Sequence, residues 1–137
     1  YPWFLTDVIE AEQDVTVAVV RDEIFAFTLD RAAFIGQTLD WRLAPTEHAH
    51  RGWKKVTLAA DLQDRIFAFM RESGAHYARL DFLRAGDRTT FLEANFTGEW
   101  AWLDPDGANG LLDKIVREID PRTPCVSCPQ IRWVDPA

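Results

Sequence analysis

The stretch "HYARLDFLRAGDRTTFLEAN", His76 to Asn95, decides how the rest of the chain is read. Two runs rich in aromatic and branched residues, "YARLDFLR" and "TTFLEAN", flank "AGDR", where Gly86 takes a turn position, so the segment is a β-hairpin. Side chains alternate along a strand: Tyr77, Arg79, Asp81 and Leu83 share one face, and Ala78, Leu80 and Phe82 the other. The same alternation groups Phe91, Glu93 and Asn95 against Leu92 and Ala94. If the hairpin pairs about Gly86, Asp81 comes opposite the Glu93 and Asn95 region, and two carboxylates and an amide oxygen converge. Such hard donors suit magnesium, which completes its shell with water and phosphate oxygens, and so point to a nucleotide. The competing reading is that alternating polar residues mark the solvated face of an antiparallel sheet. On spacing alone the two are balanced.

Working outward, "VTVAVV" (Val15 to Val20) and "IFAFTLD" (Ile24 to Asp30), joined by "RDE", form a second hairpin, and "WFLTDVI" (Trp3 to Ile9) has strand composition. Arg31 to Lys55 show no clean period and hold Gly36, Pro45 and Gly52, which predicts a loop-rich excursion. Leu62, Ile66, Phe69 and Met70 fall at helical spacing and Gly74 supplies a stop, predicting a helix from about Ala59 to Ser73. After the loop "FTGEWAWLDPDGANG", Gly110 to Ile119 form a short amphipathic helix. Hairpins interleaved with two helices indicate an α+β fold, an antiparallel sheet with helices packed on one face. The expected organisation is one domain over residues 1–120 and a Pro- and Cys-containing tail over residues 121–137. Tyr1 stands where a Met would open a chain, already inside strand-like sequence, which leads us to expect a fragment with partners upstream.

The 137 residues, 47% hydrophobic and 27% charged, suit one soluble domain. Asp and Glu outnumber Lys and Arg by 22 to 15 and the cations are dispersed, so nucleic acid is not an expected partner. The apolar runs are short and no signal peptide opens the chain, so we expect a cytoplasmic protein without a membrane partner. A lone "CVSC", Cys125 to Cys128, is half a zinc site flanked by Pro124 and Pro129, and reads as two incidental thiols. His48 and His50 beside Glu47 are a common loop accident, and His76, Trp100 and Trp102 read as structural.

"DWR" at Asp40 to Arg42, "LDF" at Leu80 to Phe82, "LEAN" at Leu92 to Asn95 and "GEWAWLD" at Gly98 to Asp104 come in an order that resembles the ATP-grasp ligases, most closely the graspetide, microviridin-type branch that matures ribosomal peptides. The resemblance spans roughly Phe4 to Ile119 and implies the C-terminal half of an ATP-grasp fold, with ATP and two magnesium ions as cofactors. It makes Asp81 and Asn95 ligands to one metal each, Glu93 the ligand bridging both, and Arg42 the cation facing the transferred phosphate. Thr6, Asp7 and Val8 resemble the hinge that contacts adenine, and Glu10, Glu12 or Asp14 the ribose-binding acids. Two positions depart from the branch, which often has Arg at Thr16 and usually has Pro at Phe96. The upstream lobe with its lysines and glycine-containing loop has no counterpart in this sequence.

The implied activity is ATP-dependent formation of an amide or ester from a carboxylate through an acyl-phosphate. The implied partners are a peptide or protein substrate, the missing N-terminal lobe of the same protein and a possible second copy. Two rival readings are a nuclease, for which Asn95 stands where a Glu-x-Lys motif needs Lys, and a degenerate lobe that binds peptides without catalysis.

Overall fold

A computed structural model describes residues 7–33 and 52–120. Five antiparallel strands, β1 (Gln13–Val20), β2 (Glu23–Asp30), β3 (Lys54–Val56), β4 (Tyr77–Ala85) and β5 (Arg88–Asn95), form one sheet in the order β3-β2-β1-β4-β5. Among the described residues two helices, α1 (Ala60–Ser73) and α2 (Leu111–Ile119), pack on it, and the fold is α+β as expected. Strand β1 sits at the centre, where both of its faces are covered. Its residues Val15 to Val20 are all buried, which explains a nearly all-apolar run with Thr16 as its only hydroxyl.

The helices take opposite faces of the sheet, not the single face the sequence suggested. Val15, Val17, Val19, Ala78, Leu80 and Phe82 meet Ile66 and Met70 of α1. Ala18, Val20, Phe25 and Phe27 point the other way and meet Leu111 of α2, with Leu103 and Trp102 from the preceding loop. A central strand that is apolar at both odd and even positions needs a cover on each side. α1 ends at Gly74, whose φ of +66° gives the left-handed cap that closes the last turn. Phe69 lies at the flank of the helix, 38% exposed, against the rings of Phe91 and Phe96.

Three further differences concern the strands. Asp7 to Ile9 form no strand, and Val8 is 72% exposed; Trp3 to Thr6 lie outside the described residues. The chain is tied in at Glu12 instead, whose N–H donates to the Arg84 carbonyl at 3.0 Å and whose carbonyl accepts from Arg31 at 2.9 Å. Strand β3 straddles the end of the expected loop, being too short to show a period. Finally, β5 carries a bulge: Asp81 pairs with Glu93 but Phe82 pairs with Phe91, leaving Leu92 as the extra residue.

The face that α2 covers is locked by two buried charges. Lys114 is 8% exposed, and its Nζ reaches Asp22 at 2.8 Å, Glu23 at 3.0 Å and Glu118 at 3.3 Å. Burial pushes its pKa down, but the carboxylates outweigh that and hold it above the ordinary lysine range. The same contact, chiefly the hydrogen bond from Lys114, holds the Asp22 carboxyl below its usual range. Arg21 takes the left-handed backbone that this tight turn demands, φ +55°, and pairs with Glu118.

Asp104, 2% exposed, accepts from the Asn109 N–H at 2.7 Å and from the Leu112 N–H at 2.9 Å, so the carboxylate of "WAWLD" satisfies the loop and the first turn of α2. Asp104→Ala leaves both donors without that acceptor and is expected to lower stability by about 2–4 kcal/mol. Urea unfolding measures this, and an unchanged midpoint would contradict the assignment.

Candidate functional site

The polar residues form rows across β1, β4 and β5. Thr16 lies opposite Asp81, and Asp81 lies opposite Glu93. One step along the same face, Ala18 lies opposite Arg79 and Arg79 opposite Asn95. Asp81 and Glu93 are therefore direct cross-strand neighbours, while Asn95 is diagonal to Asp81. The bulge makes this arrangement possible. Phe91 leaves the polar face, where simple alternation had placed it, and packs edge-on against Phe82 at 5.5 Å. The extra residue reverses the phase of the strand, so that Glu93 and Asn95 keep the face opposite to the core of α1.

Asp81 is held on both sides. Thr16 Oγ1 donates to its Oδ1 at 2.7 Å, and Arg79 Nη2 lies 3.2 Å from its Oδ2. Arg79 is itself 8% exposed and donates from Nη1 to the Glu99 carbonyl at 3.1 Å. The loop after β5 is pulled over this residue. Tyr77 donates to the Gly98 carbonyl at 2.6 Å, and a Cβ on Gly98 would stand 3.0 Å from the Arg79 Cβ and 3.3 Å from that of Asn95, tight enough that a side chain there would push on both. Asn95 Oδ1 accepts from the Thr97 N–H at 3.0 Å and from its hydroxyl at 3.3 Å, which shapes the turn between Asn95 and Gly98.

A cavity of about 210 Å³ opens at this row, lined by Asp14, Val15, Trp53, Asp81, Phe82, Leu92 and Glu93. The space holds several waters and has room for an ion with its water and a phosphate group. Among the described residues no three His, Cys, Asp or Glu side chains gather closely enough to enclose a metal ion. Asp81 and Glu93 supply hard, anionic oxygens side by side, and that donor set and space fit magnesium, which takes the rest of its shell from water and phosphate.

Of the other expected site residues, Asp14 lies in this same cavity, beside the Asp81 row, and pairs with the buried Arg31 at 3.7 Å. Glu12 accepts from the Gly86 N–H at 3.1 Å and so braces the β4–β5 turn. Asp7, Val8 and Glu10 are exposed on the irregular segment before β1. Thr6 and Arg42, like His48, His50, Cys125 and Cys128, lie outside the described residues. Sequence reasoning missed Arg79, Thr16 and Trp53 as parts of this site. For Arg79 the signal was present, since it alternates in phase with Asp81.

No family model matches the chain, and no curated protein matches it by sequence. Among solved structures, a Chryseobacterium gregarium RiPP-associated ATP-grasp ligase, in complex with ADP and a leader and core peptide, matches 77% of this chain at 24% identity and a TM-score of 0.70. The macrocyclases MdnC, bound with its precursor peptide MdnA, and MdnB, both from Microcystis aeruginosa MRC, match 81% and 82% at 23% and 24% identity, with TM-scores of 0.62 and 0.63. The chain spans 32%, 34% and 38% of the lengths of these three structures, about a third of each. It shares their ATP-grasp fold over that part.

Burial raises the Tyr77 pKa to about 12, with Arg79 opposing the shift and Asp81 adding to it. Because the folded value lies above that of a free tyrosine, the stability this group contributes is complete below about pH 10 and is lost as pH rises towards 12. Titration of phenolate absorbance is expected to show a step near 12 that vanishes in Tyr77→Phe. No step near 12, or one that persists in Tyr77→Phe, would show that Tyr77 is not buried beneath the Gly98 loop.

Proposed function

We propose that this chain is the metal- and ATP-binding lobe of an ATP-dependent carboxylate ligase that modifies a ribosomally made peptide or a protein. The observation that carries the proposal is the register of Asp81 against Glu93 at a cavity. It lies in a fold shared with ATP-grasp ligases, one of which was solved with ADP and a leader and core peptide. In the reaction proposed, an oxygen of the substrate carboxylate attacks the terminal phosphorus of ATP and ADP leaves. An amine or hydroxyl then attacks the carbonyl carbon of the acyl-phosphate, and phosphate leaves as the amide or ester forms.

Both steps pass through concentrated negative charge in the reacting phosphate, so catalysis consists largely of placing groups and neutralising that charge. Asp81, Glu93 and Asn95 would hold magnesium, two ions if the resemblance to the ATP-grasp ligases carries over. That metal supplies Lewis-acid neutralisation when bound. The chain's own part is to fix these oxygens. Thr16 orients Asp81 by its hydroxyl, and the sheet register sets Glu93 beside it. Arg42 would add a fixed cation on the phosphate, Thr6, Asp7 and Val8 would meet adenine, and Glu10 or Asp14 the ribose. An upstream lobe of the same protein would close over the other side of the nucleotide.

A second reading, a non-catalytic lobe that binds peptide or serves assembly, is favoured by one observation: both Asp81 oxygens already have protein partners. Magnesium-dependent ADP release by the full-length protein separates the two. The ligase reading expects turnover that falls roughly a hundredfold or more in Glu93→Ala. Equal turnover in the variant would remove Glu93 from the site, and a full-length protein that binds neither nucleotide nor magnesium would favour the second reading.

A further inference from the structure

The ion pair between Arg79 and Asp81 is an obstacle that the proposed metal site must overcome. The Arg79 side chain is 10% exposed and that of Asp81 15%, so water screens their attraction poorly. Arg79 Nη2 occupies Asp81 Oδ2 at 3.2 Å while Thr16 takes Oδ1 at 2.7 Å, leaving the carboxylate fully engaged. At its other end the guanidinium is anchored by the Glu99 carbonyl, and its stem is packed beneath Gly98. Its Nε–H is buried without a hydrogen-bond partner in the structure. A divalent ion seated on Asp81 would stand close to this guanidinium, and the two positive charges repel.

We infer that Arg79 is a built-in counter-ion, a positioning residue that holds Asp81 until a divalent cation displaces it. The inference rests on the reading of Asp81 as a cation ligand. Arg79 keeps the carboxylate oriented and charge-compensated while no metal is bound, and the same contact weakens binding of a cation alone. When the guanidinium swings off Asp81, its Nη2 loses an acceptor and its Nε still lacks one. An anion that enters together with the cation satisfies both. Cation and anion binding are therefore coupled through one side chain, and each strengthens the other by the same factor.

The test uses the full-length protein and manganese as the probe, followed by electron paramagnetic resonance. In Arg79→Met, which keeps the apolar stem and removes the charge, manganese affinity without nucleotide is expected to rise about tenfold, and the gain on adding ADP to shrink. A folded Arg79→Met with equal or weaker manganese affinity overturns the inference while leaving the metal site intact. If neither protein binds manganese, with or without ADP, the metal-site reading fails and this inference fails with it. Nuclear magnetic resonance of the arginine side-chain N–H groups tests the unaltered protein. Arg79 is expected to lose its Asp81-bound signal as magnesium and ADP saturate the site, and an unmoved signal there overturns the inference even if the Met variant does not fold.

Discussion

The register in which β4 lies between β1 and β5 is the constraint on which the rest of the site depends. A slip of one residue would turn Asp81 towards α1 and expose Leu80 and Phe82 on the polar side. Burial of Ala78, Leu80 and Phe82 against Val15, Val17, Val19, Ile66 and Met70 opposes any such slip. The apolar face thus positions the polar one. Glu12, bracing the Gly86 turn, adds a local clamp to that long-range constraint. Gly86 itself supplies the positive φ, +58°, that a two-residue turn requires at its first position.

Among the described residues, the charges buried against this sheet are paired with opposite ones. Arg79 answers Asp81, Arg31 answers Asp14, and Lys114 answers three carboxylates at once. A buried ion is costly unless paired, so these contacts allow carboxylates to stand beside a cavity in a folded chain without a metal. The Lys114 cluster differs from the Arg79 pair in place and consequence. It ties α2 to the β1–β2 turn on the far side of Phe25 and Leu111, whereas the Arg79 pair lies on the row proposed to receive a cation.

Much of this was legible in the sequence because it is periodic. Leu62, Ile66 and Met70 repeat at helical spacing, and Tyr77 to Leu83 alternate cleanly, so α1, the two hairpins and the face of Asp81 could be read directly. The bulge at Leu92 could not, since an inserted residue leaves no period of its own; it moved Phe91 to the other face. Which face α2 would cover was hidden for a related reason. Leu111 and Ile115 define an apolar stripe, but a stripe does not say which side of a sheet it meets, and β1 is apolar on both. Arg79 was overlooked because a charged residue at a strand face reads as solvated until its burial is known. Thr6 and Arg42 lie outside the described residues, so the adenine and phosphate assignments rest on resemblance.

The central claim is that the hairpin from Tyr77 to Asn95 presents Asp81 and Glu93 to one shared divalent cation. Crystals of the full-length protein grown with manganese and a non-hydrolysable ATP analogue would test it through the anomalous difference map. The account predicts a peak between the Asp81 and Glu93 carboxylates, within coordination distance of both and of phosphate oxygens. Nucleotide density with no peak at these two residues, or manganese bound elsewhere, would contradict it.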